Sequence, residues 1–484
     1  MSISGSLSNA LSGLTAAARM ADVVSSNTAN ALTEGYARRE ISLVAQSVGG
    51  NGAGVKVVGV NRSVNEPVLQ DRRIATAAAS NATARTDFYA QIEEMIGTPE
   101  DASSLSSRLA TLDSSLITAA SMPESESRLS AVLSSARNVS DQLNEMSDGL
   151  MQIRMNADKS ISAQVDTLNQ SLTQIDELNA KILAVRSSGS DATALLDQRQ
   201  ALVDKVSEIV PVRQLQRDND QIVLYTTGGA ILLEGNPAEI GFTPTPVITA
   251  GMTRENGALS GLTINGMAVS PADDGVLGGG TLGAMFAVRD ELAPEVQSQI
   301  DAVARDLIER FSDSAVDPTL TATTPGLFTD GGAVFDASLE VGLAGRIEIN
   351  AAADPEQGGA LWRLRDGMGA TTPGDVGNST LLVALSDALN TERVPASGEF
   401  GLSMRSASGL VSDLLSSVSS DRQASETVQS YTTARQETLN EMALADGVDT
   451  DYELQTLLKV EQAYAANARV IKTLDELMQQ LLSW

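Results

Sequence analysis

Leu457-Leu458-Lys459-Val460-Glu461-Gln462-Ala463-Tyr464-Ala465-Ala466-Asn467-Ala468-Arg469-Val470-Ile471-Lys472-Thr473-Leu474-Asp475-Glu476-Leu477-Met478-Gln479-Gln480-Leu481 is the stretch on which the fold turns. Leu457, Val460, Tyr464, Ile471, Leu474, Met478 and Leu481 fall on alternating a and d positions of a heptad, and Asn467 takes the one polar d position. Spacing of this kind predicts a coiled-coil seam. Asn467 has two readings: it fixes the register of the seam, or it faces solvent at a helix crossing.

The opposite end carries a shorter counterpart. Ile3, Leu7, Leu11, Leu14, Ala18 and Ala21 form one helical stripe over 3–21, with Ser, Asn and Thr between them. An ordinary helix packed on its own domain fits this pattern. Two apolar helices at opposite ends also fit a pair, within one chain or between copies. Chain ends are usually polar and frayed, and here they are the most regular apolar segments, which points toward an assembly protein.

Between the ends the organisation is nested. Ser26 to Tyr36 is dense in Asn, Ser, Thr and Gly and predicts a helix end followed by turns. Ile41 and Leu43, then Gly49-Gly50-Asn51-Gly52-Ala53-Gly54, then Val55, Val57 and Val60 predict a hairpin. Asn65 and Pro67 predict a helix start, with helix over 66–96 and again over 103–120. From Leu129 through Ile161 to Val185 an unbroken three–four alternation predicts one helix over 128–186, roughly 88 Å long at ~1.5 Å per residue. A helix closed by Pro211 follows, then a Gly-rich β stretch with alternation at Ile222 and Leu224 and at Ile231 and Leu233, helix over 283–311, a second Gly, Pro and Thr-rich stretch, and helix from about 403 with a loop near Asp446-Gly447. The fold class expected is mainly α with inserted β modules, elongated and multi-domain. Expected domains are 1–65 with 435–484 as a terminal coiled coil, 66–211 with 283–316 and 401–434 as a helical bundle, 212–282 as a β insert and 317–400 as a second, β-rich insert.

Composition excludes much chemistry. The 484 residues hold neither His nor Cys, so there is no Ser-His-Asp triad, no Cys nucleophile, no imidazole or thiolate metal site and no disulfide. A net charge of −29 disfavours nucleic acid and anionic membrane as partners. No apolar run approaches the ~18 residues of a membrane span. No Lys or Arg precedes Arg19, so no secretory signal is expected. Gly278-Gly279-Gly280-Thr281-Leu282-Gly283 matches a dinucleotide fingerprint, but Asp273-Asp274-Gly275-Val276-Leu277 is a poor preceding strand, so a turn into a helix is expected instead. Asp449, Asp451 and Glu453 begin like a calcium loop, yet Leu454 stands where the loop needs Gly, so a solvated acidic loop is expected. No catalytic residue, cofactor or metal is expected. Paired carboxylates for a hydrolase remain open in so acidic a chain.

Leu11-Ser12-Gly13-Leu14 with Ser26-Asn27-Thr28-Ala29-Asn30-Ala31-Leu32-Thr33-Glu34-Gly35-Tyr36 resembles the N-terminal signature of bacterial flagellar axial proteins, the rod, hook and hook-associated proteins. Gln462 to Ile471 with Thr473 to Leu477 resembles the matching C-terminal signature. Inside, Leu195-Leu196-Asp197-Gln198-Arg199-Gln200-Ala201-Leu202-Val203, Gly279 to Gly283 with Val288-Arg289-Asp290-Glu291, and Ser121-Met122-Pro123 resemble the hook-associated members. The resemblance covers about 1–210, 278–311 and 430–484. Ser312 to Val316 and Val448 to Tyr452 depart from the family pattern.

The resemblance implies a structural, non-enzymatic role at the hook–filament junction. The terminal helices would pair in the inner tube, and copies of the chain would pack as a helical array. Implied partners are further copies of itself, hook protein, hook-associated protein 3 and a flagellar export chaperone, with type III export in place of a signal peptide. The assembly interface expected on these grounds comprises Ile3, Leu7, Leu11, Leu14, Asn27, Asn30, Gly35, Tyr36, Leu457, Val460, Tyr464, Asn467, Ile471, Leu474, Met478 and Leu481. The alternatives are a hook or distal rod protein, and a secreted coiled-coil effector.

Overall fold

The computed structural model describes residues 3–33, 35–48 and 51–483; the readings made on Glu34, Gly49, Gly50 and Trp484 lie outside them. Its helices are α1 (Ile3–Ala29), α2 (Glu66–Ile96), α3 (Leu105–Ala120), α4 (Glu126–Ser187), α5 (Thr193–Ile209), α6 (Gly280–Ala287), α7 (Ala293–Phe311), α8 (Arg363–Asp366), α9 (Thr380–Asn390), α10 (Ala407–Ala445) and α11 (Thr450–Leu482). Strands β1 (Arg39–Val48) and β2 (Asn51–Arg62) form an antiparallel hairpin. β3 (Val212–Gln216), β4 (Ile222–Thr226), β5 (Ile231–Glu234) and β6 (Asn236–Pro237) form one antiparallel sheet in chain order. β7 (Ile240–Gly241), β8 (Leu262–Ile264) and β9 (Met267–Val269) form another, and β10 (Phe328–Asp330) pairs with β11 (Ile347–Ile349).

α4 runs through the whole body as 62 unbroken residues, about 93 Å at ~1.5 Å per residue. Its apolar stripe explains the length. Leu129 to Leu150 are buried with α2, α3, α7, α9 and the start of α10 in one core. Ile161 to Ile175 are buried with α5, α6 and the β3–β9 strands in a second. Ile182 closes a small third cluster with Ala192 and Leu196. Gly149 does not break the helix, because it marks a crossing: a Cβ there would stand 2.5 Å from the Met95 sulfur.

Asn65 caps α2 by accepting from the Val68 amide, and Pro67 sits in the first turn, where its missing N–H costs nothing. α2 and α10 lie antiparallel along a seam of small residues. Four polar pairs mark it: Thr76 with Gln436, Thr83 with Gln429, Thr86 with Ser425 and Glu93 with Ser419.

The glycine run before α6 is structural. Gly279 and Gly280 have φ of 81° and 60°, and a Cβ on Gly280 would lie 2.2 Å from the Ile209 carbonyl oxygen. No strand leads into it, since β9 ends at Val269. A π-helical turn, Val288–Leu292, joins α6 to α7.

Three expectations need correction. α1 continues to Ala29, so Ser26 to Ala29 are helical rather than a turn. The alternation read as Ile231 and Leu233 on one face fails, because an irregularity at Leu224/Tyr225 turns Ile231 outward while Leu232 and Leu233 are both buried. The stretch 317–400 is not β-rich: its strands are the three-residue β10 and β11, beside short 3-10 turns and α9. Its order comes from apolar side chains buried in the first core, among them Phe328, Ile347 and Leu364, and from polar anchors on the body. Asp301 of α7 accepts from the Gly342 and Ala344 amides at 2.7 and 2.8 Å. Arg310 donates to the Ala388 and Thr391 carbonyls at 2.6 Å each.

Candidate assembly surface

α1 and α11 pack side by side, but not through the leucine stripe. Leu7 and Leu11 are 43% and 56% exposed. The face that α1 buries runs Ala10, Ala17, Val24 and Asn27, with half-buried Ser6 and Gly13 in phase. Leu7, Leu11, Leu14 and Ala18 each follow a member of that face by one residue, which puts them about 100° round the helix. Small residues let the helices approach closely. A Cβ on Gly13 would fall 2.8 Å from the Asn467 amide, so Asn467 fills a hole over Gly13 within the seam. Its Nδ2 donates to the Ala463 carbonyl of its own helix at 2.9 Å. α11 meets α1 mainly along its d positions, with Val460 buried and Asn467 and Leu474 half-buried, joined by the a-position Ile471.

Asn27 is the hub of this end. It is 1% exposed, and all its hydrogen-bonding capacity is used. Nδ2 donates to the Arg39 carbonyl at 2.9 Å and to Glu453 Oε1 at 3.0 Å. Oδ1 accepts from the Arg39 amide at 3.0 Å and from the Tyr36 hydroxyl at 2.9 Å. One side chain thus ties α1 to the first residue of the hairpin and to α11. Around it, Arg39 stacks on Tyr36 and Arg38 on Tyr452. Asn30 donates to the Ser26 carbonyl, and Gly35 supplies a φ of 76° for the return toward β1. Among the expected interface residues, then, Asn27, Asn30, Gly35 and Tyr36 build this corner from within.

The hairpin is tied to the same end and to the body. Ser12 Oγ accepts from the Val55 amide at 3.1 Å. At its base, Arg39 and Arg62 both reach Asp197 of α5, at 3.2 and 2.8 Å. Asp197 belongs to the segment whose resemblance singled it out, and here it is the joint between the terminal pair and the helical body.

The outward side is apolar. Leu457, Tyr464, Met478 and Leu481 are exposed, as are Leu454, Leu458, Leu477 and Leu482 on the same helix. Ile3 and Leu14 are half-buried at the edge of this surface. Patches of this kind on a folded chain mark interaction sites. Among the described residues no group of side chains is arranged to hold a metal, and no helix is long and apolar enough to cross a membrane.

Two features were invisible in sequence. Glu453 is 3% exposed rather than part of a solvated loop. Asp449 caps α11 by accepting from the Asp451 and Tyr452 amides, so the calcium-like spacing is a cap followed by an inward carboxylate. Burial pushes the Glu453 carboxyl above the ordinary glutamate range; Asn27 and Arg38 pull it down, and Glu40 and Asp449 push it up. A raised carboxyl supplies its full stabilisation below the ordinary glutamate pKa and loses it as pH rises through the raised value. Glu453→Gln keeps an acceptor for Asn27 and cannot ionise. We expect slower hydrogen exchange along α11 in Glu453→Gln than in wild type at pH 7, with the difference vanishing as pH falls toward 4. Equal exchange at both pH values would refute this.

The family model described as the flagellar hook-associated protein FlgK helical domain matches residues 89–315. A second, the flagellar basal body rod FlgEFG protein C-terminal model, matches residues 445–483. Flagellar hook-associated protein 1 of Bacillus subtilis is 24% identical over 509 aligned positions, covering 99% of this chain and 97% of its own. Flagellar hook-associated protein 1 of Escherichia coli is 23% identical, covering 99% of this chain and 100% of its own. The solved flagellar hook junction protein FlgK of Burkholderia pseudomallei aligns with a TM-score of 0.44 at 21% identity, over 54% of this chain and 47% of its own.

Proposed function

We propose, since the chain belongs to the family of flagellar hook-associated protein 1, that it forms the junction between hook and filament by packing its paired terminal helices against neighbouring copies. Family membership makes it a component of the flagellum, associated with other axial proteins. The observation that carries the finer reading is the apolar outer face of α11 beside exposed Leu7 and Leu11 of α1. A folded monomer gains nothing by exposing such a surface in water. Burying it between copies would contribute about 25 cal/mol per Å², less the ordering cost of association. Contacts between different faces of successive copies give a helical array rather than a closed dimer.

On this reading hook protein is the partner on one side and hook-associated protein 3 on the other. The chain would reach that place by unfolded export with a chaperone, a route compatible with its lack of cysteine. The role is structural and the chain carries out no catalysis. The test is to image purified hooks incubated with the full chain and with a truncation lacking 442–484. The full chain should cap the distal hook end and the truncation should not. Capping by both forms, or by neither, would contradict the proposal.

A further inference from the structure

Beside the hairpin base lies a polar cavity of about 340 Å³. Its walls come from five separate elements: the end of β2, the first turns of α2, the last turn of α4, α5 and β3. Four arginines line it: Arg62, Arg73, Arg186 and Arg199. Arg73 and Arg199 form the buried floor, at 1% and 5% exposure, and Arg186 stands nearer solvent at the mouth.

The pairing of these cations is incomplete. Arg186 meets Asp220 at 2.6 Å, and Arg62 meets Asp197. Arg73 Nε meets Asp204 at 2.5 Å and its Nη1 donates to Gln214, but its buried Nη2 meets no acceptor. Arg199 has no carboxylate: its Nη1 donates to the Asn179 amide oxygen and the Asp220 carbonyl. Asp197 and Asp204 are each shared with a second arginine, Arg39 and Arg72. Glu66 is the remaining carboxylate on the wall. Five guanidinium groups therefore share three carboxylates, with Arg199 and Glu66 outside those ion pairs; six cations against four carboxylates leave a local excess of two positive charges inside a chain of net charge −29.

A buried guanidinium without a partner is costly, and arginine forks match tetrahedral oxyanions in geometry and charge. Burial lowers the Arg199 pKa to about 10; Asp220 and Glu66 pull it back up, and neighbouring Arg62 and Arg73 push it further down. The volume equals that of roughly ten waters, enough for such an ion with part of its hydration. We propose that this cavity binds a small tetrahedral oxyanion, of the inorganic phosphate or sulfate class, between Arg73, Arg186 and Arg199. Because the walls belong to the hairpin, three helices and a β module, the bound ion fastens the terminal end to the body.

Ligand binding to the folded state alone raises its stability in a saturable way. The experiment titrates inorganic phosphate into the full-length protein at constant ionic strength held with NaCl, reading thermal unfolding and the ³¹P linewidth. Saturable stabilisation and line broadening are expected, with at least tenfold weaker binding in Arg199→Gln and in Arg186→Gln. Arg186 is partly exposed, so its variant carries the test should Arg199→Gln fold poorly. Sulfate should compete with phosphate and acetate should not. The proposal is overturned if phosphate does no more than chloride or acetate at equal ionic strength, or if Arg186→Gln binds as tightly as wild type.

Discussion

Asn27→Leu is expected to release α11 and the hairpin base from α1 while the helical body stays folded. The substitution removes four hydrogen bonds at a site that is 1% exposed. It strands the Arg39 amide and carbonyl and leaves the buried Glu453 carboxylate without its donor. Each buried group deprived of its partner costs about 1–3 kcal/mol, and the charged one lies toward the top of that range. A loss of roughly 3–5 kcal/mol follows for this end of the molecule. At ~1.4 kcal/mol per factor of ten, that is roughly two to three and a half orders of magnitude in local opening. Amide hydrogen exchange along α1 and α11 should accelerate by that amount, with the amides of α4 unchanged. Acceleration below tenfold would mean that the α1–α11 seam, and not Asn27, holds the end together.

Asp158→Ala should have an effect of similar size in a different place. Arg289 and Asp158 are 0% and 1% exposed and meet at 2.6 Å. Asp158 Oδ2 also accepts from the Thr245 amide at 2.7 Å, while Arg289 donates to the Ser260 carbonyl at 2.8 Å. The pair thereby fastens both ends of the 245–260 loop to α4 and the π-helical turn. Breaking a buried pair from one side typically costs 3–5 kcal/mol, since the remaining charge stays buried. Asp290 still bonds Arg289 through Nε and Nη2, so about 3 kcal/mol is expected here. Proteolytic cleavage within 245–260 should become rapid, while the α1–α11 pair keeps its exchange protection. Asp158→Asn retains an acceptor for Thr245 and should lose less. Equal protease resistance in wild type and Asp158→Ala would show that the loop is held by other contacts.

Long-period patterns were legible in the sequence because burial on one face leaves a three–four rhythm. That rhythm gave the extent of α4 within two residues and two apolar helices at the ends, while the hairpin was legible from its glycine-rich turn between apolar strands. The side on which α1 packs was not legible. Hydrophobicity ranks leucine above alanine, serine and glycine, whereas close helix approach selects the small residues. The seam therefore passes through Ser6, Ala10, Gly13 and Ala17, and the leucines are left for the outer surface. Glu453 was misread for a related reason. An acidic residue near a helix start looks solvated until a partner from 426 residues away, Asn27, is seen to cover it. In 317–400 the order rests on scattered core residues such as Phe328 and Leu364 and on long-range anchors such as Asp301 and Arg310, none of which carries a local periodicity. The arginine cavity is equally silent in sequence, because its four cations come from four elements between residues 62 and 199.

Assembly through the outer face can be separated from pairing through the seam. The deciding measurement is electron microscopy of purified hooks with the full chain and with a variant carrying Leu457→Ser, Tyr464→Ser and Met478→Ser. These three side chains are exposed, so the α1–α11 pair should keep its exchange protection. Wild-type chain is expected to cap the distal hook end, and the variant to leave hook ends bare. A folded variant that caps hooks as well as wild type would contradict assembly through the outer face.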